Sequence, residues 1–377
     1  GAKMLVGVNG GFQDPQELDE YLAAGDCDLI AMARGLFADE DYMEKCLTGR
    51  GDDIVPCIWC NKCHGTMTPP WISFCSVNPR LGIDPMLLKT LPTGGAKKKV
   101  AIVGGGPIGM RAAMMAAEQG HQVTLFEKTD YLGGQLRHSD YVSFKWPLRD
   151  YKDYLVRQLD KHGITVRMNT LATPELLEQE GFEAVIAATG AVPNIPKFAQ
   201  DETGTLKAGL KTCLDVFGHE DELGKRVIIV GGSETGVETG MHLCEKGHEV
   251  TVLTRQDEIA HDASHLHAIT MAIVTYDPKD YHEIIQCAWE KYPDFHSIVN
   301  ATTTEVTEKT VCYTDENGVS HTLEADSVVI CGGMKAQRDE ALAFYGAAPR
   351  FFMTGDCEKV ANLQAGNRSA MGKVAQL

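Results

Sequence analysis

The stretch KKVAIVGGGPIGMRAAMMAAEQGHQVTLFEK, residues 98–128, decides the fold. An apolar run leads into a glycine turn, a helix of small residues follows, and a Gly-His break precedes a second apolar run. This order is typical of the βαβ unit that binds dinucleotides. Gly104 makes the tight turn out of the strand, Gly106 lets the backbone approach a pyrophosphate, and Gly109 lets the helix pack closely on the strand.

Three further residues complete this first site. The pyrophosphate is expected at the helix N-terminus, which opens with Pro107 and where free N–H groups favour negative charge. Glu127 ends the second strand at the offset where an acid accepts a ribose hydroxyl, and Lys128 follows it. Because a strand, a helix, an acid and a second copy accompany the glycines, the motif predicts a dinucleotide site rather than a structural turn.

A second copy, KRVIIVGGSETGVETGMHLCEKGHEVTVLTR, occupies residues 225–255 and aligns with the first without a gap. Ser233 replaces the middle glycine, and Thr254-Arg255 stands in place of the acid. A missing acid beside an arginine suits a ribose 2′-phosphate, which favours NADPH over NADH. A nucleotide fold that binds nothing is the alternative. The residues expected at this second site are Gly231, Gly232, Ser233, Glu234, Thr254, Arg255 and Gly332.

The two units are nested in the chain. The run FEAVIAATG belongs to the first fold and reaches Thr189-Gly190, close to where the second fold begins. A late strand runs into Gly355-Asp356 and then a helix, which returns the chain to the first fold. We therefore expect a discontinuous first domain, residues 97–205 and 325–377, interrupted by a second domain, residues 206–324. The segment from Tyr281 to His296 is expected to be a helix that covers the second domain.

Composition excludes several classes of protein. The formal net charge of −17 over 377 residues disfavours nucleic-acid binding, because phosphate backbones require Lys/Arg surfaces. No apolar run approaches the length of a membrane helix, and no secretory signal opens the sequence. Twelve cysteines without such a signal favour a reducing cytoplasm, with thiols that bind metal or remain buried. A homo-oligomer is compatible with this composition.

Four of the cysteines are crowded into PCIWCNKCHGTMTPPWISFCSVNP, residues 56–79, as Cys57, Cys60, Cys63 and Cys75. Zinc sites usually pair their thiols two by two. Here three cysteines share one tight loop and the fourth follows from a separate turn, which is typical of a [4Fe–4S] cluster. The spacing therefore favours an iron–sulfur cluster over zinc or free thiols.

These motifs together resemble a known family. The glycine turn with its acid, LGGQL at residues 132–136, AATG at residues 187–190 and the late TGDC resemble flavoprotein disulfide-reductase FAD and NAD(P) domains. Joined to the cysteine segment, residues 51–96, they resemble the C-terminal part of the iron–sulfur branch of the Old Yellow Enzyme family. The implied fold class is α/β, with two nested Rossmann-like domains. The residues implied to hold FAD are Gly104, Gly106, Pro107, Gly109, Glu127, Lys128, Gly134, Gln135, Thr189, Gly190, Gly355 and Asp356.

The first fifty residues resemble the last two βα units of that family's FMN-binding TIM barrel. The resemblance implies that Gly11 and Arg34 bind the FMN phosphate. A whole barrel needs roughly 250 residues. We therefore expect the chain to be a fragment or one piece of a split enzyme, with the rest of the barrel in the same or another chain. The resemblance places the family's catalytic residues in the absent part, so none is expected here.

The order of parts implies a function. NAD(P)H would give a hydride to FAD, the cluster would pass electrons singly, and FMN in the barrel would reduce an activated C=C bond of an enoate or dienoyl type. One alternative is an amine dehydrogenase of the same family, with ADP in place of FAD. Another is a diaphorase or electron-transfer module that serves a separate barrel subunit.

Overall fold

The computed structural model describes residues 4–64, 74–84, 86, 96–261, 289 and 291–377. The chain divides into two compact units. The first comprises Gly1–Asp140, Phe144–Gly190 and Ala336–Leu377, and the second comprises Tyr141–Ser143 and Ala191–Lys335. The chain thus leaves the first unit after Gly190 and returns at Ala336, so the second unit is longer than the range 206–324.

The core of the first unit is a five-stranded parallel sheet. Its strands are β3 (Lys99–Val103), β4 (Gln122–Phe126), β5 (Thr165–Arg167), β6 (Ala184–Ala187) and β17 (Arg350–Met353). They lie in the order β17-β6-β3-β4-β5. The central strands are apolar and almost entirely buried, as expected where helices cover both faces of a parallel sheet. The late strand β17 pairs with β6, so the first sheet is completed only after the chain has built the second unit.

Helices cover this sheet. They are α4 (Pro107–Glu118), α5 (Trp146–Lys161), α6 (Pro174–Gln179), α8 (Arg338–Leu342) and α9 (Leu363–Val374). Helix α4 follows β3 directly and buries its small and methionine side chains in the main core. Such side chains let a helix lie close to the strands, which brings the start of α4 to the carboxyl end of the sheet.

The N-terminal residues form two βα units that belong to the first compact unit. Strands β1 (Gly7–Asn9) and β2 (Leu29–Ala31) pair in parallel. The helices that follow them are α1 (Pro15–Ala24), α2 (Arg34–Ala38) and α3 (Tyr42–Leu47). Lys161 of α5 binds Asp53 at 2.5 Å, and Ala38 and Val55 lie in the same core cluster as α4. The pair of βα units is therefore packed onto the first dinucleotide fold.

The outer side of these βα units exposes large apolar side chains. They include Met4, Leu5, Val6, Leu29, Met43 and Leu47. A two-stranded parallel pair cannot bury both of its faces, and parallel sheets are normally covered on both. This apolar surface therefore lacks the cover that parallel strands normally have.

The second unit is built on another five-stranded parallel sheet. Its strands are β8 (Lys211–Thr212), β9 (Arg226–Val230), β10 (Glu249–Leu253), β11 (Phe295–Ile298) and β15 (Ser327–Ile330), with α7 (Glu234–Glu245) after β9. They lie in the order β11-β10-β9-β15-β8. An antiparallel meander accompanies it, formed by β12 (Thr302–Val306), β13 (Thr310–Thr314) and β14 (Ser320–Glu324). Strands β7 (Ala191–Pro193) and β16 (Met334–Ala336) pair where the chain enters and leaves this unit.

One secondary-structure prediction was wrong at its end. The helix expected up to His296 gives way to β11, which pairs in parallel with β10 from Phe295. The pairing of backbone groups along the edge of the sheet overrides the local helical pattern. Residues 281–288 and 290 of that segment lie outside the described residues. Among the described helices, none is long and apolar enough to cross a membrane.

The two glycine turns have the same backbone construction. Gly104 has φ +113°, a conformation that side chains rarely adopt, and a Cβ on Gly109 would lie 2.0 Å from the Gly104 carbonyl oxygen. In the second unit Gly231 has φ +121°, and a Cβ on Gly236 would lie 1.9 Å from the Gly231 carbonyl oxygen. Each helix therefore contacts the preceding turn at a distance that only glycine permits.

Replacing Gly109 with alanine should unfold the first turn. The added methyl group would meet backbone rather than a movable side chain, so we expect a loss of about 3 kcal/mol in the free energy of unfolding. Denaturant titration measures this. Gly372→Ala in α9 is the matched control, because nothing lies within 4 Å of its Cβ position. Equal stability of the two variants would contradict the packing described here.

Candidate functional site

The first glycine turn is held by the acid predicted to bind ribose. Glu127 is 9% exposed, and its Oε2 accepts the backbone N–H of Gly105 at 2.8 Å. Its Oε1 accepts both the backbone N–H and the hydroxyl of Thr129, each at 2.8 Å. The carboxylate is thereby fixed at the end of β4, and its oxygens keep lone pairs for a ligand hydroxyl.

Gly106 leaves the start of α4 open. It is the N-cap residue, and no atom lies within 4 Å of the position where its Cβ would be. Without a capping side chain, the first N–H groups of the helix face this space, with Pro107 at the first helical turn. An open N-terminus of a twelve-residue helix beside a buried carboxylate fits the diphosphate and ribose of a dinucleotide.

The predicted LGGQL segment meets the same turn. Gly133 donates to the Gly105 carbonyl oxygen at 2.9 Å, and a Cβ on Gly134 would lie 3.0 Å from the Gly106 Cα. Gln135 follows in the 3-10 helix Gly134–Asp140. The LGGQL segment therefore packs directly on the nucleotide turn.

The late TGDC segment reaches the same helix. Gly355 faces Ile108 of α4, with its Cβ position 3.3 Å from that side chain. Burial raises the pKa of the Asp356 carboxyl, and Ala361 N–H donates to its Oδ1 at 3.1 Å. A half-buried carboxyl needs hydrogen-bond partners, and the hydroxyl groups of a bound ligand can supply them.

The remaining predicted FAD residues are more peripheral. Thr189 and Gly190 bond the backbone of Gln337, at the point where the chain crosses between the units. Lys128 is exposed, and its Nζ lies 3.7 Å from Glu340 Oε1. Lys128 therefore points toward α8 in this structure.

The second turn repeats the geometry with different chemistry. Thr254 occupies the position of Glu127, is buried, and lies so close that a Cβ on Gly232 would be 2.7 Å from its own Cβ. Ser233 is the N-cap of α7 and makes no side-chain capping bond. Arg255 is exposed beside it, and Glu234 is exposed at the first position of α7. The turn is thus intact, but its acid is replaced by an uncharged side chain.

Gly332 lies at the end of β15. A Cβ there would be 2.6 Å from the Asn194 carbonyl oxygen, and the Asn194 amide donates to the Gly332 carbonyl oxygen at 3.0 Å. These contacts fix the loop that leaves the carboxyl end of the second sheet.

The cysteine loop converges with the later Cys75 segment. The Cys60 Sγ lies 3.1 Å from the Ser76 hydroxyl, and Trp59 N–H donates to Cys57 Sγ at 3.4 Å. Burial raises the pKa of the Cys63 thiol to about 11, and the three other thiols, Cys57, Cys75 and Cys60, add to this rise. The cysteine loop and the segment that carries Cys75 therefore lie side by side.

These thiols are not gathered as tightly as the ligands of a single ion. Among residues 4–64, 74–84, 96–261 and 291–377, no group of three or more His, Cys, Asp or Glu side chains has the spacing to hold one metal ion. N–H groups of Val77 and Asn78 also bond the Cys75 sulfur. Such bonds are found around cluster sulfurs, so this donor set fits the iron–sulfur cluster that the cysteine spacing predicts.

Several residues that hold this region in place were not predicted from the sequence. Asn367 of α9 is fully buried, and its amide donates to the Ser76 carbonyl oxygen at 2.7 Å. The Arg368 guanidinium donates to the Leu81 carbonyl oxygen at 2.9 Å. Helix α9 therefore holds the segment that carries Cys75. No motif marks these residues, because their partners lie almost three hundred positions away in the sequence.

The predicted FMN-phosphate residues contact the cysteine loop. Arg34 Nη1 donates to Asn61 Oδ1 at 2.7 Å, and its guanidinium lies 4.9 Å from the centroid of the Trp59 ring. The same ring covers Gly11, whose Cβ position would be 2.8 Å from it. The structure thus brings Gly11 and Arg34 together, with Trp59 between the βα units and the cysteines.

Two nested sheets with glycine turns define an FAD- and NAD(P)-binding oxidoreductase. Residues 159–348 match the pyridine nucleotide-disulphide oxidoreductase family, and residues 99–145 match the FAD dependent oxidoreductase family. The chain belongs to the pyridine nucleotide-disulphide oxidoreductases, as the C-terminal FAD and NAD portion of the iron–sulfur branch of the Old Yellow Enzyme family. This confirms the predicted family and fold class.

Three similar proteins illustrate the relationship. NADH oxidase of Thermoanaerobacter brockii is 35% identical over 266 residues, which are 69% of this chain and 40% of that protein. Cinnamate reductase of Clostridium sporogenes is 29% identical over 361 residues, 94% of this chain and 50% of that protein. A 2-naphthoyl-CoA reductase in complex with 2-naphthoyl-CoA superposes with a TM-score of 0.87 at 29% identity, covering 100% of this chain and 54% of that one. The chain spans about half the length of these relatives.

Replacing Gly106 with alanine tests the first dinucleotide site. With φ −71° and open space around its Cβ position, an alanine fits the folded chain, so stability should change little. The methyl group would occupy the space of the pyrophosphate, and we expect the Kd for FAD to rise at least about tenfold. Flavin absorbance after gel filtration measures the loss. Unchanged flavin content would show that the diphosphate lies elsewhere, and Gly372→Ala again serves as the control.

Proposed function

We propose that this chain is the electron-transfer portion of an NAD(P)H-dependent flavin oxidoreductase that reduces an activated C=C bond. The observation that carries the proposal is the placement of the cysteine loop. Gln13 Oε1 accepts the Cys57 N–H at 2.9 Å on one side, and Asn367 of α9 holds the Ser76 carbonyl on the other. The thiols thus bridge the two βα units and the FAD-binding fold, which is where an electron carrier between two flavins belongs.

Each part of the chain has a distinct role in this proposal. The second turn, with Ser233 and Arg255, binds NAD(P)H, and the first turn binds FAD through Gly106 and Glu127. The four cysteines hold a [4Fe–4S] cluster, and Gly11 and Arg34 hold the phosphate of FMN. When bound, these cofactors supply hydride acceptance and single-electron transfer. The chain's own residues position them and exclude side reactions.

The substrate class is inferred from relatives rather than from residues of this chain. Cinnamate reductase and 2-naphthoyl-CoA reductase are named for conjugated unsaturated substrates. The substrate site itself is proposed to lie in the other units of an FMN-binding barrel. The exposed apolar face around Met4, Leu5 and Leu47 supports this proposal, because barrel units pack through such faces. The remaining units belong to the same or another polypeptide.

A second candidate is an amine dehydrogenase of the same branch, in which electrons flow outward and the first fold holds ADP. Thr254 and Ser233 favour it, because the second turn lacks the acid and the middle glycine of a complete site. The open Gly106 turn with LGGQL packed on it favours the reductase, as these elements suit the longer FAD molecule.

Anaerobic titration with NADH and then NADPH separates the two candidates. In the reductase, bound flavin is present and its visible absorbance bleaches on addition of a nicotinamide nucleotide. Arg255→Ala should raise the Kd for NADPH about tenfold while leaving that for NADH nearly unchanged, because one charge pair to the 2′-phosphate is lost. Arg226→Ala, another exposed arginine of the second unit, is the control. Absence of flavin, or flavin that neither nucleotide bleaches, would favour the amine dehydrogenase.

Replacing Cys75 with alanine tests the cluster. We expect the chain purified anaerobically to lose its iron and acid-labile sulfide, because four thiolates are needed to retain a [4Fe–4S] cluster. Iron and sulfide assays with electron paramagnetic resonance measure this. Cys312→Ala is the control, since Cys312 lies in the meander of the second unit. A Cys75→Ala variant with full iron content would overturn the ligand assignment.

A further inference from the structure

We propose that Arg34 is a positioning residue for the cysteine loop, and that its guanidinium holds both neighbours of Cys60 in the conformation that presents the Cys60 thiol. The inference deepens the proposed function and rests on it only for what the thiols bind. The contacts themselves involve nothing but the chain's own residues.

The backbone on either side of Cys60 is in a conformation that needs support. Trp59 has φ +57° and Asn61 has φ +52°, both in the left-handed region. Asparagine visits this region with some frequency, but a bulky aromatic residue there is an outlier. Such conformations persist where surrounding contacts over-determine them, and they cluster at functional sites. Two of them in three consecutive residues therefore require an external restraint.

Arg34 supplies contacts to both strained residues at once. Its Nη1 donates to the Asn61 side chain at 2.7 Å, and its guanidinium carbon lies over the Trp59 ring, 4.9 Å from the centroid. A planar fork can stack on a ring and donate in its own plane, whereas a lysine ammonium cannot do both. Trp59 is also packed edge-on against Trp146 at 5.6 Å and covers Gly11. The indole is thus fixed from three sides.

The restraint reaches the thiol through the chain. Cys60 lies between the two residues that Arg34 holds, and its Sγ meets the Ser76 hydroxyl at 3.1 Å. Ser76 follows Cys75 directly and is itself held by Asn367. Freeing Trp59 and Asn61 would let Cys60 leave Ser76, and the loop with three cysteines would separate from the segment with the fourth.

The test measures the exposure of one thiol. The full chain is reduced and freed of metal, and the rate of Cys75 alkylation by iodoacetamide is followed by mass spectrometry of its peptide, because Cys75 is half-buried whereas Cys60 is already exposed. Arg34→Ala should accelerate alkylation of Cys75 about tenfold, because the cysteine loop, joined to Ser76 through Cys60, no longer packs on the Cys75 segment. Arg34→Lys should give nearly the same acceleration, which excludes an effect of net charge. Arg50→Ala is the matched control, since Arg50 bonds Glu44 and Thr48 instead of the loop.

A double-mutant cycle identifies the path of the effect. Asn61→Ala should also accelerate alkylation, and the Arg34→Ala/Asn61→Ala double variant should react no faster than the faster single variant. Additive effects, or an Arg34→Ala rate equal to that of the wild type, would overturn the proposal. Thermal unfolding identifies any variant that fails to fold, and Arg34→Lys and Asn61→Ala then decide the outcome.

A second readout separates this inference from the proposed function. After anaerobic reconstitution with iron and sulfide, the loss of iron to a chelator should be about tenfold faster in Arg34→Ala than in the wild type. A wild-type chain that takes up no iron or sulfide would refute the cluster. The alkylation rates would still decide whether Arg34 restrains Cys60. If alkylation is unchanged and the cluster loads normally, the positioning role of Arg34 is refuted while the cluster assignment stands.

Discussion

The contact between a helix and the carbonyl oxygen of the turn before it is the constraint on which this structure depends. Gly109 lies against Gly104 in the first unit, and Gly236 lies against Gly231 in the second. No side chain separates helix from turn, so the first N–H groups of each helix arrive at the carboxyl end of a parallel sheet. In the first unit Glu127 accepts the Gly105 N–H at the same turn. The other elements of each unit pack around this contact between two glycines.

The two copies have diverged in what surrounds that junction. In the first copy a carboxylate accepts one hydrogen bond from the turn and two from Thr129, and it keeps lone pairs for a ligand. In the second copy Thr254 fills the same position by packing, with its Cβ against Gly232. The same backbone thus offers a negative, hydrogen-bonding edge in one unit and a neutral edge beside Arg255 in the other. A duplicated fold can bind two different dinucleotides by changing little more than this edge.

Whether a feature could be predicted from the sequence depends on how far apart in the chain its contacting residues lie. The glycine turns and Glu127 were predictable, because their constraints act within one βαβ unit. The cysteine spacing was equally local. The restraints on Cys60 were not, since Arg34 lies on a βα unit and Asn367 on the last helix. The strand from Phe295 was missed because its partner, β10, lies beyond a long intervening segment. The spacing of residues predicts the chemistry of a short segment, but it does not predict the distant contacts that hold this segment in place.

The bond between Asn367 and the Ser76 carbonyl has a consequence for biosynthesis. A ribosome makes the cysteine segment early and helix α9 only after the whole second unit has emerged. The second unit is one continuous stretch apart from three residues, so it can fold while the first still waits for β17 and α9. Until then the thiol loop lacks the helix that secures its fourth cysteine. The segment that carries Cys75 therefore gains its contact with Asn367 only after the whole second unit has been synthesised.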